Sequence, residues 1–141
     1  GFTFYTNYNS SKGLDMKFNP NVSVTFFWPE LEQQIRISGT VMKLDPEISD
    51  VYFNSRPKGS QISASASNQS TLIDDRSVLE NEVNRLEKLY KNKDIPRPDH
   101  WGGYLLNPSR IEFWQGRTSR LHDRFLYELH GDDWKMSRLA P

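Results

Sequence analysis

The sequence has no cysteine among its 141 residues, which excludes disulfides, zinc–thiolate sites and thiol nucleophiles together. It also has no apolar run close to the ~20 residues that a membrane span needs. Basic and acidic residues balance at 18 each, so the formal net charge is zero. Nucleic-acid-binding domains usually carry a basic excess, and the overall charge argues against that class. These absences predict a soluble protein of the cytoplasm, with neither a membrane nor a nucleic acid as partner.

The composition that remains is that of a folded domain. Aromatic residues make up 13% of the chain and charged residues 26%, which is not a disordered composition. The length is that of one ordinary domain. Gly1 leads directly into an alternating aromatic strand without an initiator Met. We therefore expect a chain that is entered partway through a domain.

Hydrophobic periodicity predicts a mainly β protein with two or three peripheral helices, arranged as a small antiparallel barrel. Gly39 is a candidate bulge, and a tight turn at 130–132 should join the last two strands as a hairpin. The expected strands, all rich in alternating, β-branched or aromatic residues, cover 2–6, 22–28, 34–42, 104–106, 110–114, 124–129 and 134–139.

Three segments between the strands have helix or linker signals. A short, weakly helical stretch follows Asn7, and Asp45 with Pro46 should begin a helix that ends before Pro57. The serine-rich segment 60–70 has the composition of a linker. Ser77-x-x-Glu80 is a capping box that should begin the strongest helix. One face of that helix carries the apolar side chains Leu79, Val83, Leu86 and Tyr90.

The densest polar cluster near the C-terminus contains Arg117, Arg120, His122, Asp123 and Arg124. If this segment is a strand, Arg120, His122 and Arg124 lie on one face, because alternate residues of a strand share a face. Two guanidinium groups beside an imidazole suit a phosphate or another anion. A solvated, charged strand edge is the alternative that spacing alone favours.

Other polar or aromatic pairs also have two interpretations. Tyr52 and Arg56 share a helix face and could hold a ring and a phosphate, or could be an ordinary exposed pair. Phe113 and Trp114 could form a platform for an aromatic ring, although core packing is the simpler interpretation. His122 beside Asp123 is not a hydrolase triad, because sequence neighbours on a strand face opposite ways. Three scattered histidines without cysteine give no support for a metal site.

Six motifs in order along the chain resemble the pyridoxamine 5′-phosphate oxidase family. The longest is specific by itself, and together they span the whole sequence. They are F-Y-T-N at 4–7, W-P-E-L-E-x-Q at 28–34, Y-F-x-S-R-P-x-G-S-Q-I at 52–62, R-P-x-x-W-G-G-Y at 97–104, I-E-F-W-Q-G-R-x-x-R-L-H-D-R at 111–124 and R-L-A-P at 138–141.

The resemblance implies an FMN-binding split β-barrel, here lacking the first strands, that occupies residues 1–141 as a single domain. Residues 97–141 would be the C-terminal dimerisation and substrate-binding region. The implied enzyme of vitamin B6 metabolism is a homodimer whose flavin sites are built from both subunits. It would oxidise pyridoxamine or pyridoxine 5′-phosphate to pyridoxal 5′-phosphate, while O₂ is reduced to H₂O₂.

The family's site residues carry over by motif position. Arg120 and His122 would hold the substrate's pyridine ring over the flavin and act as the catalytic residues. The segment 60–70 would become a phosphate-binding loop, in contrast to its linker composition. The FMN-binding positions would be Tyr5, Thr6, Lys12, Gln34, Gln69, Ser70, Trp114 and Arg124. The substrate-binding positions would be Tyr52, Arg56, Ser60, Arg120 and His122.

Some positions depart from the family pattern. Ser11 replaces a phosphate-binding Arg, Ser63 and Ser65 replace the Gly and Trp of a G-x-W motif, and Leu105 stands where a basic residue is common. Family members also begin well before Gly1, with strands that contribute further FMN and substrate contacts. Two alternatives therefore stay open, namely a flavin-binding split-barrel protein with another substrate and a catalytically inactive dimerising domain.

Overall fold

Six strands and four helices follow one another in a computed structural model that describes all 141 residues, Gly1–Pro141. They confirm the prediction of a mainly β fold, with four helices where two or three were expected. No helix is both long and apolar enough to cross a membrane. In chain order the elements are β1 Phe2–Asn7, α1 Ser11–Phe18, β2 Asn21–Trp28, β3 Gln33–Lys43, α2 Pro46–Ser55, α3 Lys58–Ala66, α4 Arg76–Leu89, β4 Trp101–Gln115, β5 Asp123–His130 and β6 Asp133–Arg138.

The strands form one sheet in the order β2-β3-β4-β5-β6, and β1 pairs with β4. The pairs β2–β3, β4–β5 and β5–β6 are antiparallel. His130 lies opposite Asp133, so Gly131 and Asp132 form a two-residue hairpin turn, as predicted. Gly131 has φ +63°, a conformation that glycine adopts without steric cost.

The chain divides into two compact units. We call the first the strand unit; it contains Gly1–Phe2, Asn19–Met42 and Leu106–Pro141. The second, the helix unit, contains Thr3–Phe18 and Lys43–Leu105.

The helix unit has an apolar core, and α2, α3, α4 and the start of β4 all contribute to it. Phe53 is fully buried, and its ring meets Trp101 edge-on at 5.3 Å between centroids. Leu86 of α4 is 6% exposed in this core, and Val83 and Tyr90 pack against it. The predicted apolar face of α4 is therefore confirmed at Val83, Leu86 and Tyr90, whereas Leu79 is half-buried and lies outside this core. The core is completed by Ile62 and Ile95.

The strand unit buries fewer apolar side chains. Ile37, Val41, Leu106 and Leu126 are its buried apolar residues, and the carboxylate residue Glu112 is buried beside them, 5% exposed. A glycine permits the close approach of two chain segments here. A Cβ built on Gly39 would lie 2.0 Å from the carbonyl oxygen of Asn107. Because Gly39 pairs regularly with Val22, the expected bulge at this position is wrong.

The linker interpretation of the serine-rich segment is also wrong, because Lys58–Ala66 is the helix α3. Ile62 is 4% exposed in the core, which gives this helix an apolar anchor. The Ser63 and Ser65 hydroxyls donate to the carbonyls of Gly59 and Gln61, four residues earlier, at 2.8 and 2.9 Å. Hydroxyls that compete for the backbone in other contexts are thus satisfied within the helix. The expected phosphate-binding loop is accordingly helical up to residue 66 and irregular from 67 to 70.

Two helix starts and one strand differ in detail from the prediction. Asp75, not Ser77, is the N-cap of α4, and its carboxylate accepts from the Ser77 backbone N–H at 2.6 Å. Asp45 does precede α2, with Pro46 in the first turn, but its side chain makes no capping hydrogen bond. The two strands expected at 104–106 and 110–114 are one continuous strand, β4.

Candidate functional site

A lysine ammonium lies against two neutral side chains in the helix unit. Lys12 of α1 donates from Nζ to Thr6 Oγ1 at 3.0 Å, and the Thr6 hydroxyl donates to Gln69 Oε1 at 3.3 Å. Thr6 is buried at the end of β1, so the cluster has a fixed base. An ammonium has three N–H donors, and one is used here. Three predicted FMN-binding residues therefore come together with donor capacity to spare.

An aromatic stack stands beside this cluster. Tyr5 and Tyr52 are stacked with their ring centroids 3.7 Å apart, and Tyr5 is also stacked with Trp101 at 5.6 Å. Burial raises the pKa of the Tyr5 hydroxyl above its usual value, and the nearby Tyr52 and Tyr8 add to this. Tyr5 and Tyr52 line an open cleft of about 530 Å³. Tyr5, which is predicted to bind the flavin, is therefore in direct contact with Tyr52, which is predicted to bind the substrate phosphate.

Arg56, which follows α2, lies over the face of Trp101 with its Cζ 4.7 Å from a ring centroid. Such contacts attract the cation to the ring quadrupole. Arg56 Nη1 is buried and has no hydrogen-bond partner. The side chain lines a cavity of about 390 Å³ together with Gln69 and Ser63. A buried, unpaired guanidinium nitrogen is costly, so Arg56 has a donor in this cavity that an anionic group could use.

Two predicted residues of the helix unit are not drawn into these clusters. Ser60 lies in the first turn of α3, where its backbone N–H donates to the Pro57 carbonyl at 2.8 Å. Ser70 is exposed, with φ +71°, and its side chain makes no hydrogen bond. The left-handed backbone of Ser70 is uncommon for a residue other than glycine and occurs often at functional sites.

A second group of predicted residues lies in the strand unit. Gln34 of β3 and Trp114 of β4 line a cleft of about 220 Å³, with Phe113 and Phe125 among its other walls. Gln115 forms one end, where its side-chain amide donates to the Leu31 carbonyl at 3.1 Å. Apolar walls with a few amides suit a flat ligand that has a hydrogen-bonding edge.

A buried carboxylate joins three strands next to this cleft. Glu112 Oε1 accepts from Arg124 Nε at 2.7 Å, and Oε2 accepts from Arg36 Nη2 at 2.8 Å. The Arg124 hydrogen bond, followed by the charges of both guanidinium groups, holds the pKa of Glu112 below its usual value despite burial. Arg124 also donates from Nη1 to the Ala140 carbonyl at 3.0 Å. Arg124, cross-strand neighbour of Trp114, is therefore held on two sides.

The segment from Arg117 to His122 is a turn, so the expectation that Arg120, His122 and Arg124 share a strand face is wrong. Residues 118–120 form a 3₁₀ turn, in which Ser119 and Arg120 have φ +57° and +62°. His122 closes the turn, because its Nδ1 accepts from the Arg117 backbone N–H at 3.1 Å.

The two proposed catalytic residues, Arg120 and His122, differ in how they are held. The His122 ring lies 4.8 Å from the Trp114 ring, which links it to the flat cleft. The Arg120 side chain is exposed and makes no hydrogen bond. At the base of the turn, the Arg117 hydrogen bond and the charges of Arg117 and Arg138 lower the pKa of Asp123.

Sequence reasoning missed two residues that organise these clusters. Trp101 supports Tyr5, Tyr52 and Arg56, and Glu112 holds Arg124. A charged residue in the middle of the apolar run I-E-F-W was the available signal for Glu112, because a carboxylate inside a strand needs a buried partner. Trp101 had no such signal, since an aromatic residue at a strand start is ordinary core.

The matches to protein families cover both parts of the chain. Residues 1–90 match the model described as pyridoxamine 5′-phosphate oxidase, and 101–141 match the pyridoxine 5′-phosphate oxidase C-terminal dimerisation region. The chain belongs to the pyridoxamine 5′-phosphate oxidase family. The resemblance found in the six sequence motifs is thereby confirmed.

Similar proteins of this family support the assignment across the whole chain. Pyridoxine/pyridoxamine 5′-phosphate oxidases from Christiangramia forsetii and from a Synechocystis strain are each 53% identical over 141 residues, which is 100% of this chain and 66% of each relative. The chain thus spans just under two thirds of the length of these relatives.

Solved structures confirm the fold. PhzG from Burkholderia lata, in complex with tetrahydrophenazine-1-carboxylic acid, matches all of this chain and 69% of its own, with a TM-score of 0.92 and 35% identity. A pyridoxamine 5′-phosphate oxidase-related, FMN-binding protein from Nostoc punctiforme matches 99% of this chain and 72% of its own, with a TM-score of 0.75 and 15% identity. The expected fold, that of the family's split barrels, is therefore confirmed.

Proposed function

We propose that this chain acts as an FMN-dependent oxidase that converts pyridoxamine or pyridoxine 5′-phosphate to pyridoxal 5′-phosphate. The observation that carries the proposal is the buried, unpaired Nη1 of Arg56 in a family-defining motif. A guanidinium group binds phosphate well because its N–H donors match two phosphate oxygens at once. The B6 phosphates are the substrates named for the relatives that are 53% identical.

The residues present fit FMN. A phosphate needs cationic donors, which Lys12 supplies from an ammonium group held by the Thr6 hydroxyl. An isoalloxazine ring needs a flat apolar surface with hydrogen-bond donors at its edge, which the cleft beside Gln34 and Trp114 supplies. We assign the cofactor to Tyr5, Thr6, Lys12, Gln34, Gln69, Ser70, Trp114 and Arg124. FMN, when bound, would accept a hydride equivalent from C4′ of the substrate and pass its electrons to O₂, giving H₂O₂.

The protein's own contribution is to bind and orient the substrate. Arg56, with Tyr52 and Ser60, would bind the substrate phosphate. Arg120 and His122 would hold the pyridine ring so that C4′ faces the flavin. His122 is already oriented, because its Nδ1 accepts from the backbone of Arg117 and its ring lies against Trp114. Arg120 has its full set of N–H donors available for a ligand.

We further propose that the active protein is a homodimer, with residues 97–141 as the dimerisation and substrate-binding region. The match of 101–141 to a dimerisation region supports this. In the proposed dimer, Gln34, Trp114 and Arg124 lie near the subunit boundary, and each flavin site takes residues from both copies. The cytoplasm remains the expected location.

A flavin-binding experiment tests the proposal. The purified chain is incubated with FMN, separated from free flavin by gel filtration and examined by visible absorption. The loaded protein is then given O₂ with pyridoxine 5′-phosphate or, separately, with pyridoxamine 5′-phosphate, and pyridoxal 5′-phosphate and H₂O₂ are measured. We expect retained flavin, both products in equal amounts, and a dimer by light scattering.

The outcomes separate the proposal from its two rivals. Retained flavin without turnover of either B6 phosphate indicates another substrate. The 35% identical PhzG, whose structure contains tetrahydrophenazine-1-carboxylic acid, suggests what kind of compound to test next. A dimer that retains no flavin indicates an inactive dimerising domain. Arg56→Lys provides a matched control, because it keeps the charge but loses the paired donors. It should raise KM for the phosphorylated substrate while FMN affinity stays within about twofold.

A further inference from the structure

Glu112 is the buried charged residue for which the proposed reaction has no use. It lies in the middle of β4, 5% exposed, and both of its carboxylate oxygens accept from arginines. Arg36 comes from β3 and Arg124 from β5, so one carboxylate braces three neighbouring strands. The two partners differ in one respect: only Arg124 is assigned to the cofactor.

The contacts of Arg124 leave one edge of its guanidinium group free. Its Nε donates to Glu112 and its Nη1 to the Ala140 carbonyl, whereas Nη2 makes no hydrogen bond. The backbone carbonyl of the same residue accepts from the Leu139 N–H at 3.0 Å, so the C-terminal segment fastens this strand position as well. An arginine side chain loses much rotamer freedom when it binds a ligand. A side chain that is already fixed loses less on binding.

We propose that Glu112 is a positioning residue for the flavin: it holds the Arg124 guanidinium group so that Nη2 is presented to the cofactor in a fixed orientation. This inference rests on the proposed function, because it assumes that Arg124 contacts FMN. Glu112 itself touches no ligand. The charge of Glu112 also offsets one of the two cations, so the pair of arginines is oriented without a double positive charge.

Three variants separate positioning from general stability. Glu112→Gln keeps the shape of the side chain but removes its charge. Arg36→Met breaks the other ion pair on the same carboxylate without touching Arg124. Arg124→Lys keeps the charge and loses the Nη2 donors. We expect the Kd for FMN, measured by quenching of flavin fluorescence, to rise about tenfold in Glu112→Gln and in Arg124→Lys, and to change less than twofold in Arg36→Met.

The double variant supplies the readout that a merely structural role would not move. If Glu112 acts through Arg124, Glu112→Gln adds little to the loss of FMN affinity already caused by Arg124→Lys. The order of the variants by melting temperature need not match their order by FMN affinity, because Arg36→Met also breaks an ion pair of Glu112. Equal losses of FMN affinity in Glu112→Gln and Arg36→Met, in proportion to their losses of stability, would overturn the inference.

A flavin-independent measurement keeps the inference separate from the proposed function. In protein labelled with ¹⁵N-arginine, the Nε–H of Arg124 should exchange slowly with solvent, quickly in Glu112→Gln and slowly again in Arg36→Met. Slow exchange in Glu112→Gln contradicts positioning by Glu112, whether or not the chain binds FMN. Unchanged FMN affinity in Arg124→Lys contradicts the assignment of Arg124 instead. A wild-type chain that retains no FMN contradicts the proposed function.

Discussion

The helix unit and the strand unit hold their candidate residues by different physical means. In the helix unit, Tyr5, Tyr52 and Arg56 rest on Trp101, which belongs to an apolar core with Phe53 and Leu86. In the strand unit, Arg124 is held by a buried carboxylate, and His122 is held by a backbone hydrogen bond within a turn. Packing fixes the first set, and charge and hydrogen bonding fix the second.

The units also differ in the aromatic surface that they leave exposed. Of the large exposed aromatic side chains, only Phe18 and Tyr52 belong to the helix unit. The strand unit contributes Phe2, Phe26, Phe27, Trp28, Phe113 and Trp134. Contiguous exposed apolar surface marks interaction sites in folded proteins, and two of these side chains, Phe26 and Trp28, are stacked at 6.2 Å between ring centroids. This difference supports the proposal that Gln34, Trp114 and Arg124 lie near a boundary between two copies of the chain.

The largest expected effect is a loss of stability on removing a side chain from the packed core of the helix unit. Phe53→Ala removes a fully buried ring from the helix-unit core, where it packs edge-on against Trp101. We expect a loss of about 3–5 kcal/mol in the free energy of unfolding, measured by urea denaturation. Val51→Ala, on an exposed position of the same helix, is the control and should cost less than about 0.5 kcal/mol. Similar losses in both variants would mean that α2 does not rest on this core.

Substitution of Arg120 should affect binding and leave folding unchanged. If Arg120 contacts the substrate, Arg120→Ala removes charge-assisted hydrogen bonds of roughly 1.5–3 kcal/mol, about a ten- to hundredfold loss in kcat/KM for pyridoxine 5′-phosphate. The melting temperature should not move, because the side chain is exposed and makes no hydrogen bond.

Two further variants sharpen the test of Arg120. Arg110→Ala, which removes an exposed charge from β4, should leave kcat/KM within twofold. Arg120→Gly should lose activity to the same extent and gain some stability, since φ +62° suits glycine. Early unfolding of Arg120→Ala and His122→Ala, with normal specific activity of the folded fraction, would assign both residues a structural role.

The sequence was informative about elements and less so about how side chains are held. Alternation and β-branched residues predicted the strands, and the spacing of Val83, Leu86 and Tyr90 predicted the packed face of α4, because burial imposes those periods directly. The linker prediction for segment 60–70 was wrong, because its serine content is typical of a linker. In the structure Ile62 is buried in the core, and the Ser63 hydroxyl donates to a backbone carbonyl of the same helix.

The turn from Arg117 to His122 could not be predicted, because two left-handed residues other than glycine leave no trace in composition. Glu112 could be recognised as an anomaly in a strand, but its partners come from β3 and β5, which spacing along the chain does not relate. The family resemblance supplied the candidate residues. The contact between Lys12 and Thr6 and the unpaired nitrogen of Arg56 are properties of the folded chain that no motif contains.

Acid should selectively weaken the ion pairs of Glu112, which hold Arg124 in the strand unit. The pKa of Glu112 is below its usual value, chiefly through the Arg124 hydrogen bond, so folding is favoured by its ionised form. That contribution is complete above the unfolded value of about 4.3 and is lost as pH falls through the lower folded value. Glu112→Gln should therefore be less stable than the wild type by about 1–2 kcal/mol at pH 7.

The difference in the free energy of unfolding between the wild type and Glu112→Gln should narrow as the pH falls below about 4. The pKa of Asp123 is also lowered, but both proteins retain this residue. Its contribution to the pH dependence of stability therefore cancels when the two proteins are compared. The measurement is urea denaturation at several pH values. A constant difference down to pH 3 would contradict the role given to the Glu112 charge.

The smallest expected effect concerns the start of α4, where the capping-box pattern and the structure disagree about one residue. The pattern assigns the N-cap to Ser77, whereas the structure assigns it to Asp75, whose carboxylate accepts from the Ser77 N–H at 2.6 Å and whose pKa is lowered by the hydrogen bonds from Ser77. Asp75→Ala should lower the melting temperature by a few degrees at neutral pH, and Asp75→Asn should recover most of the loss, because an amide oxygen also caps. Ser77→Ala should have a smaller effect than Asp75→Ala, since it removes only the hydroxyl contribution to the pKa of Asp75 and leaves the backbone N–H that the cap binds. The reverse order, with Ser77→Ala the more damaging, would restore the capping box. Because Leu86 anchors α4 in the core from the other end, even complete loss of the cap should fray only the first turn, and the rest of the helix unit should keep its packing.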